Sequence, residues 1–168
     1  MFGQDRIETT SAEALGDHFT VNTAAPALLI RDFAALGGPA GEDRSIVNIL
    51  DQRIVAPHRD QLAYTLSKVA VAALTRIASV SLAPAIRVNG VAPGLTLPTE
   101  DYDAAMMQRL ARMMPLLRLP SPDEVADAVL FAASAIGLTG QTIFVDAGAH
   151  LRAWPCDFMH LAGEVRSD

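Results

Sequence analysis

The chain has 168 residues, 51% of them hydrophobic and 19% charged, with a formal net charge of −6. That much apolar side chain excludes a disordered polypeptide, and the acidic balance argues against a polybasic surface for nucleic acid or an anionic membrane. A single cysteine, Cys156, excludes an internal disulfide framework and fits a reducing compartment. No apolar run reaches the roughly 18 residues of a spanning helix. The opening Met-Phe-Gly-Gln-Asp-Arg lacks a signal-peptide core, so a cytoplasmic domain is expected.

From about Ser11 to Leu36 the chain reads as helix, with Thr10 and Glu13 in a capping-box pattern. Pro26 must bend that helix or separate two of them. A Gly/Pro loop over residues 37–43 follows. Ser45 to Leu50 is a short β-branched run whose near-continuous apolarity fits a strand buried on both faces. A long Ala- and Leu-rich helix spans about Gln61 to Leu82 and is closed by Pro84. Ile86 to Val91 is a second strand, stopped by Pro93-Gly94. An amphipathic helix is expected from Thr99 to about Met113. Ser121-Pro122-Asp123-Glu124 is a helix start with N-cap, first-turn proline and capping box, and that helix runs to about Ser134. Gln141 to Val145 is a third strand, ending in Asp146-Ala147-Gly148.

Strands alternating with helices predict an α/β fold with a parallel sheet. Ligands of such sheets bind beyond the carboxyl ends of the strands, here at Asp51, at Pro93 to Thr96 and at Asp146 to Gly148. Tyr64 and Lys68 lie four apart on the helix that follows Asp51, hence on one face. Lys68 is the only lysine beside 12 arginines, and a compact ammonium lowers the pKa of a neighbouring phenol toward working pH. A phenol so tuned passes a proton to or from a reacting oxygen or nitrogen. Asp51 precedes Tyr64 by 13 residues, a span that a turn and one helical turn can close. His18, His58, His150 and His160 show no metal-ligand spacing, and no metal site is expected. Met106, Met107, Met113 and Met114, near Leu110 and Leu116, read as core packing rather than a cofactor site. Trp154 and Phe158 lie in a tail that packs either on the domain or on a neighbouring subunit.

The motifs resemble, in order, those of the short-chain dehydrogenases/reductases: Val21-Asn22, Ser45-Ile-Val-Asn-Ile49, Tyr64-Thr-Leu-Ser-Lys68, Ile86-Arg-Val-Asn-Gly-Val-Ala-Pro-Gly94 and Leu138-Thr-Gly-Gln-Thr-Ile-Phe-Val-Asp146. The resemblance covers residues 1–150 and leaves 151–168 as a C-terminal tail. It implies the C-terminal part of a Rossmann-type doubly wound parallel sheet, three strands retained, with helices on both faces. It implies nicotinamide-dependent hydride transfer. Tyr64 would be the proton donor, Lys68 would lower its pKa and hold the nicotinamide ribose, and Asn22 would fix a water linking Lys68 to solvent. Pro93, Gly94 and Leu95 would wall the nicotinamide, with Thr96 meeting its carboxamide or the phosphates. Asp51 stands where most of the family has serine. An ionised carboxylate only accepts hydrogen bonds, and a protonated one could also donate, which suits a substrate with N–H groups or a second proton relay. Asp…Tyr…Lys and Val91-Ala-Pro-Gly-Leu-Thr96 resemble pteridine reductases, implying reduction of a pteridine-like C=N bond, or of a carbonyl, with NADP(H) ahead of NAD(H). Ala147 stands where the family usually has glycine. No Gly-rich strand–turn–helix for the pyrophosphate precedes residue 10, so the first mononucleotide half is expected to be absent and the first strand to lack a sheet neighbour. The alternative is an inactive remnant serving as a dimerisation module. In either case the resemblance implies a homo-oligomer through the helices around residues 11–36 and 61–82.

Overall fold

The computed structural model describes residues 4–39, 41–98 and 102–164. Helix α1 (Ala12–Phe19) passes through a π turn at Thr20–Ala24 into α2 (Ala25–Ala35). Pro26 sits in the first turn of α2, where a missing N–H is tolerated. The cap of α1 is Ser11, whose hydroxyl accepts the Ala14 N–H at 3.1 Å. The capping box expected at Thr10 therefore falls one residue later, without its glutamate.

Three parallel strands follow in the order β1 (Ser45–Ile49), β2 (Arg87–Pro93), β3 (Thr142–Val145), with Ser45 opposite Arg87 and Gly90 opposite Thr142. Among the described residues β1 pairs with β2 alone. Strand β2 extends past the expected Val91 to Pro93, which carries the chain to the mouth of the sheet.

Helix α3 (Leu62–Ser81) covers one face, and α5 (Pro122–Ser134) covers the other. The alternation of β2 decides which residues meet which helix. Val88 packs with Ile30 of α2 and Ala78 of α3, and Ala92 packs with Leu50 and Val71. On the opposite face Arg87 and Asn89 donate to backbone carbonyls of α5 and of the turn after it. Asn48, on β1, is buried and donates to Thr75 of α3 at 2.9 Å, which satisfies a polar side chain inside the core. The capping box of Ser121 and Glu124 is present as expected.

Helix α4 (Ala104–Met113) begins at an Asp103 cap, later than the expected Thr99, which lies outside the described residues. With Leu110 and Met114 it joins a cluster that includes Trp154, Cys156 and Phe158, the last at the start of α6 (Phe158–Glu164). The two tail aromatics thus pack on residues of their own chain. Ala147 has φ 54°, the left-handed region that glycine enters most easily. Its methyl packs in the same cluster, which offsets part of the strain.

Candidate active site

Asp51 leaves β1 with extended backbone and caps a short 3-10 turn at Gln52–Ile54. One carboxylate oxygen accepts the Arg53 backbone N–H at 2.8 Å. The other accepts the Tyr64 hydroxyl at 2.7 Å. Tyr64 lies in the first turn of α3, which starts after Gln61 in the left-handed conformation, φ 55°. That start has no side-chain cap of its own. Asp5 supplies it from 58 residues away: its carbonyl accepts the Leu62 N–H at 3.2 Å and its carboxylate the Ala63 N–H at 3.0 Å. Lys68, one turn beyond Tyr64, donates from Nζ to the Ile49 carbonyl at 3.1 Å and stands 5.7 Å from the Tyr64 ring centre.

The electrostatics differ from the expectation that Lys68 lowers the phenol pKa. Burial first, then the charge of Asp51 and its hydrogen bond, push the Tyr64 phenol well above its ordinary range. Arg53 opposes them and Asp157 adds to them. The ammonium is turned to a backbone carbonyl, and burial lowers its own pKa against a raising influence of Asp51. Tyr64 is therefore a held proton next to a carboxylate.

Asp51, Tyr64, Lys68, Pro93, Gly94, Leu95 and Thr96 line one cleft of about 710 Å³ at the carboxyl ends of β1 and β2. That size lies within the roughly 300–1,000 Å³ of small-molecule sites. Gly94 is there for close packing: a Cβ would stand 2.9 Å from the backbone of Asp146. The Thr96 hydroxyl donates to the Gly94 carbonyl at 3.0 Å. Asn22 does not line the cleft. It sits in the π turn and donates to Ser67 Oγ at 2.9 Å, so its amide is directed to Ser67. Among the described residues no group of His, Cys, Asp and Glu is arranged for a metal, and no helix is long and apolar enough to cross a membrane.

The donor set fits one end of a nicotinamide nucleotide. Tyr64 and Lys68 would offer a hydroxyl and an ammonium to its ribose, and Pro93 to Thr96, which line the same cleft, would wall its ring. The described residues hold no Gly-rich turn between a strand and a helix N-terminus, the usual place for the pyrophosphate.

Sequence reasoning did not find Arg53, Tyr102 and Asp157, which also line the cleft. Arg53 and Asp157 form a buried ion pair, and the Tyr102 hydroxyl donates to Asp157 at 3.2 Å. The one available signal was Arg53 itself, a charge two residues beyond Asp51 in a turn flanked by apolar side chains.

The family model described as Enoyl-(Acyl carrier protein) reductase matches residues 2–150. Pteridine reductase 1 of Leishmania tarentolae is 38% identical over 147 residues, which are 82% of this chain and 51% of that protein. Dihydromonapterin reductase of Citrobacter koseri is 33% identical over 107 residues, 64% of this chain and 45% of that one. FolM alternative dihydrofolate reductase 1 of Brucella canis, crystallised with NADP, superposes with a TM-score of 0.81 at 36% identity, covering 92% of this chain and 60% of that one. The chain spans about half the length of the curated relatives it matches.

Proposed function

This chain belongs to the short-chain dehydrogenase/reductase family, and we propose that its cleft is the substrate and proton-transfer part of an NADP(H)-dependent reductase of pteridine-like C=N bonds. The observation that carries the reading is the 2.7 Å hydrogen bond from Tyr64 to Asp51 inside the cleft. A carboxylate in that place accepts N–H groups, which a pteridine ring presents and a simple carbonyl substrate lacks. The names of the pteridine and dihydromonapterin reductases, and the NADP bound by the Brucella relative, support the same substrate class and cofactor.

A bound nicotinamide supplies hydride to the carbon of the C=N bond. Tyr64 gives its proton to the ring nitrogen, so hydride and proton add across one bond. Burial and Asp51 keep that proton in place until it is needed. The phenolate left behind has the Arg53 guanidinium 5.9 Å from its ring centre, and that charge stabilises it as it forms. Asp51 already accepts one donor on each oxygen and retains lone pairs for a substrate N–H. Lys68 holds the ribose, with Pro93 to Thr96 as the cofactor wall. The reading places the protein in the cytoplasm. Copies associate through the helices around 11–36 and 61–82, whose exposed Val21, Leu29, Ile77 and Val80 support that arrangement.

A second reading, an association module without activity, is supported by the exposed Leu29, Ile77 and Val80 on α2 and α3. The experiment supplies NADPH and dihydrobiopterin to the full chain and follows nicotinamide absorbance. Turnover is expected, and Tyr64→Phe is expected to lower kcat by about 10²–10⁴. Asp51→Ser is expected to shift preference from the pteridine to simple carbonyls. Full activity in Tyr64→Phe removes the mechanism, and absence of NADPH binding in the parent favours the association module.

A further inference from the structure

The cleft has a wall that no strand end supplies. Asp157, Phe158 and Met159 line it together with Tyr102, and all four lie on the chain after β2. Asp157 is buried and tied on every polar atom. It forms the ion pair with Arg53, accepts from Tyr102 at 3.2 Å and from the Met159 N–H at 2.9 Å, and donates its own N–H to Asp60 at 2.9 Å. Arg53 in turn holds Asp51 through its backbone N–H and places its guanidinium 5.9 Å from the Tyr64 ring centre. One tail residue is thus joined, through one arginine, to both members of the Asp51–Tyr64 pair. Behind it Trp154, Cys156, Phe158 and Leu161 pack on Leu110 and Met114.

A buried ion pair adds little net stability over apolar packing of the same volume, but it fixes register. Two apolar side chains would let this segment slide, whereas a guanidinium and a carboxylate accept one geometry. We infer that the segment Trp154–Leu161 is the substrate-side wall of the cleft and that Asp157, through Arg53, is the positioning residue that holds it against Asp51 and Tyr64. This rests on the reading of the cleft as the reacting site. Met159, half-buried and backed by the buried Phe158, gives the wall apolar surface suited to a flat heterocycle. The cofactor wall, Pro93 to Thr96, belongs to another segment, so loosening the tail separates substrate binding from cofactor binding.

The test uses Cys156, the chain's single thiol, which is buried within the segment and can react only when the segment lifts. Labelling by Ellman's reagent is timed for the full chain, and affinities for biopterin and NADPH are measured separately. Asp157→Asn is expected to label about tenfold faster and to bind biopterin about tenfold more weakly, with NADPH affinity within about twofold of the parent. Asp157→Glu is expected to recover most of both losses. Labelling at the parental rate, or equal loss of biopterin and NADPH, overturns the inference. Should Asp157→Asn unfold, the neutral pair Arg53→Gln/Asp157→Asn leaves no unpaired charge; faster labelling supports the wall and the parental rate overturns it. A parent that binds no biopterin removes the pteridine reading alone, and the labelling ratios still decide the wall.

Discussion

His58 is 7% exposed, its ring stands edge-on to Phe158 at 5.4 Å, and neither ring nitrogen has a hydrogen-bond partner among the described residues. Burial, helped by the charge of Arg53, lowers its pKa from 6.5 to about 4, against raising influences of Asp157 and Asp60. Between those values the unfolded chain binds the extra proton and the folded chain does not. The neutral imidazole therefore contributes stability that is fully present above pH 6.5 and is lost as pH falls toward 4, by at most about 2–3 kcal/mol. The group lies under the tail wall, so acid should loosen the wall before it loosens the sheet. His58→Gln is expected to flatten the stability slope between pH 7.5 and 4.5 in urea unfolding. An unchanged slope in that variant would assign the acid sensitivity elsewhere. Tyr64 shows how local surroundings override a pairwise rule. The four-residue spacing to Lys68 is readable from sequence, but the pKa follows burial and Asp51, and Nζ of Lys68 donates to the Ile49 carbonyl.

Helix ends are where elements of this fold are tied together. Arg87, on β2, donates to the carbonyls of Ala132, Ala133 and Ala135 in the last turn of α5 and its cap, and to Leu138 beyond it. Its other partner is Asp43, at 2.8 and 2.9 Å. One guanidinium thus satisfies carbonyls that a helix leaves open at its C-terminus. Arg87→Met leaves them unpaired and is expected to cost about 2–4 kcal/mol by chemical denaturation. Arg87→Lys should recover only part, because an ammonium cannot fork to several carbonyls in one plane; full recovery would show that charge alone matters. Such ties mark the boundary of what the sequence disclosed. Strands, helices and the local box at Ser121 were legible, because periodicity and capping act within a few residues. So was the approach of Asp51 to Tyr64, since the connecting span is a turn and one helical turn. The cap that Asp5 gives α3, the reach of Arg87 and the pairing of Arg53 with Asp157 were not. They join residues 45 to 104 apart in the chain, and no local pattern announces a partner at that distance. Asn22 is an intermediate case: its place in the helical region was readable, but the π turn that directs it to Ser67 was not.

At the scale of the molecule, several apolar side chains stand exposed on the helices that flank the three-stranded sheet. Leu29 of α2 is 69% exposed, and Ile77 and Val80 of α3 are 64% and 80% exposed. Covering one such side chain is worth about 1.5–3 kcal/mol, so a few of them offset the entropy of bringing two copies together. The reading given above places copies against each other on these helices. A charge introduced there must then be desolvated at the contact, which costs more than the apolar contact it replaces. Leu29→Glu with Ile77→Glu is expected to shift the chain from a dimer or larger species to a monomer in light scattering, with helix content unchanged. The control is α5, whose Leu130 and Phe131 are also exposed but lie on the opposite face of the sheet. If Leu130→Glu dissociates the assembly and the first pair does not, association runs through the α5 side instead. The tail wall and the helices around 11–36 and 61–82 are separate surfaces, so breaking the assembly should leave the labelling rate of Cys156 as it was.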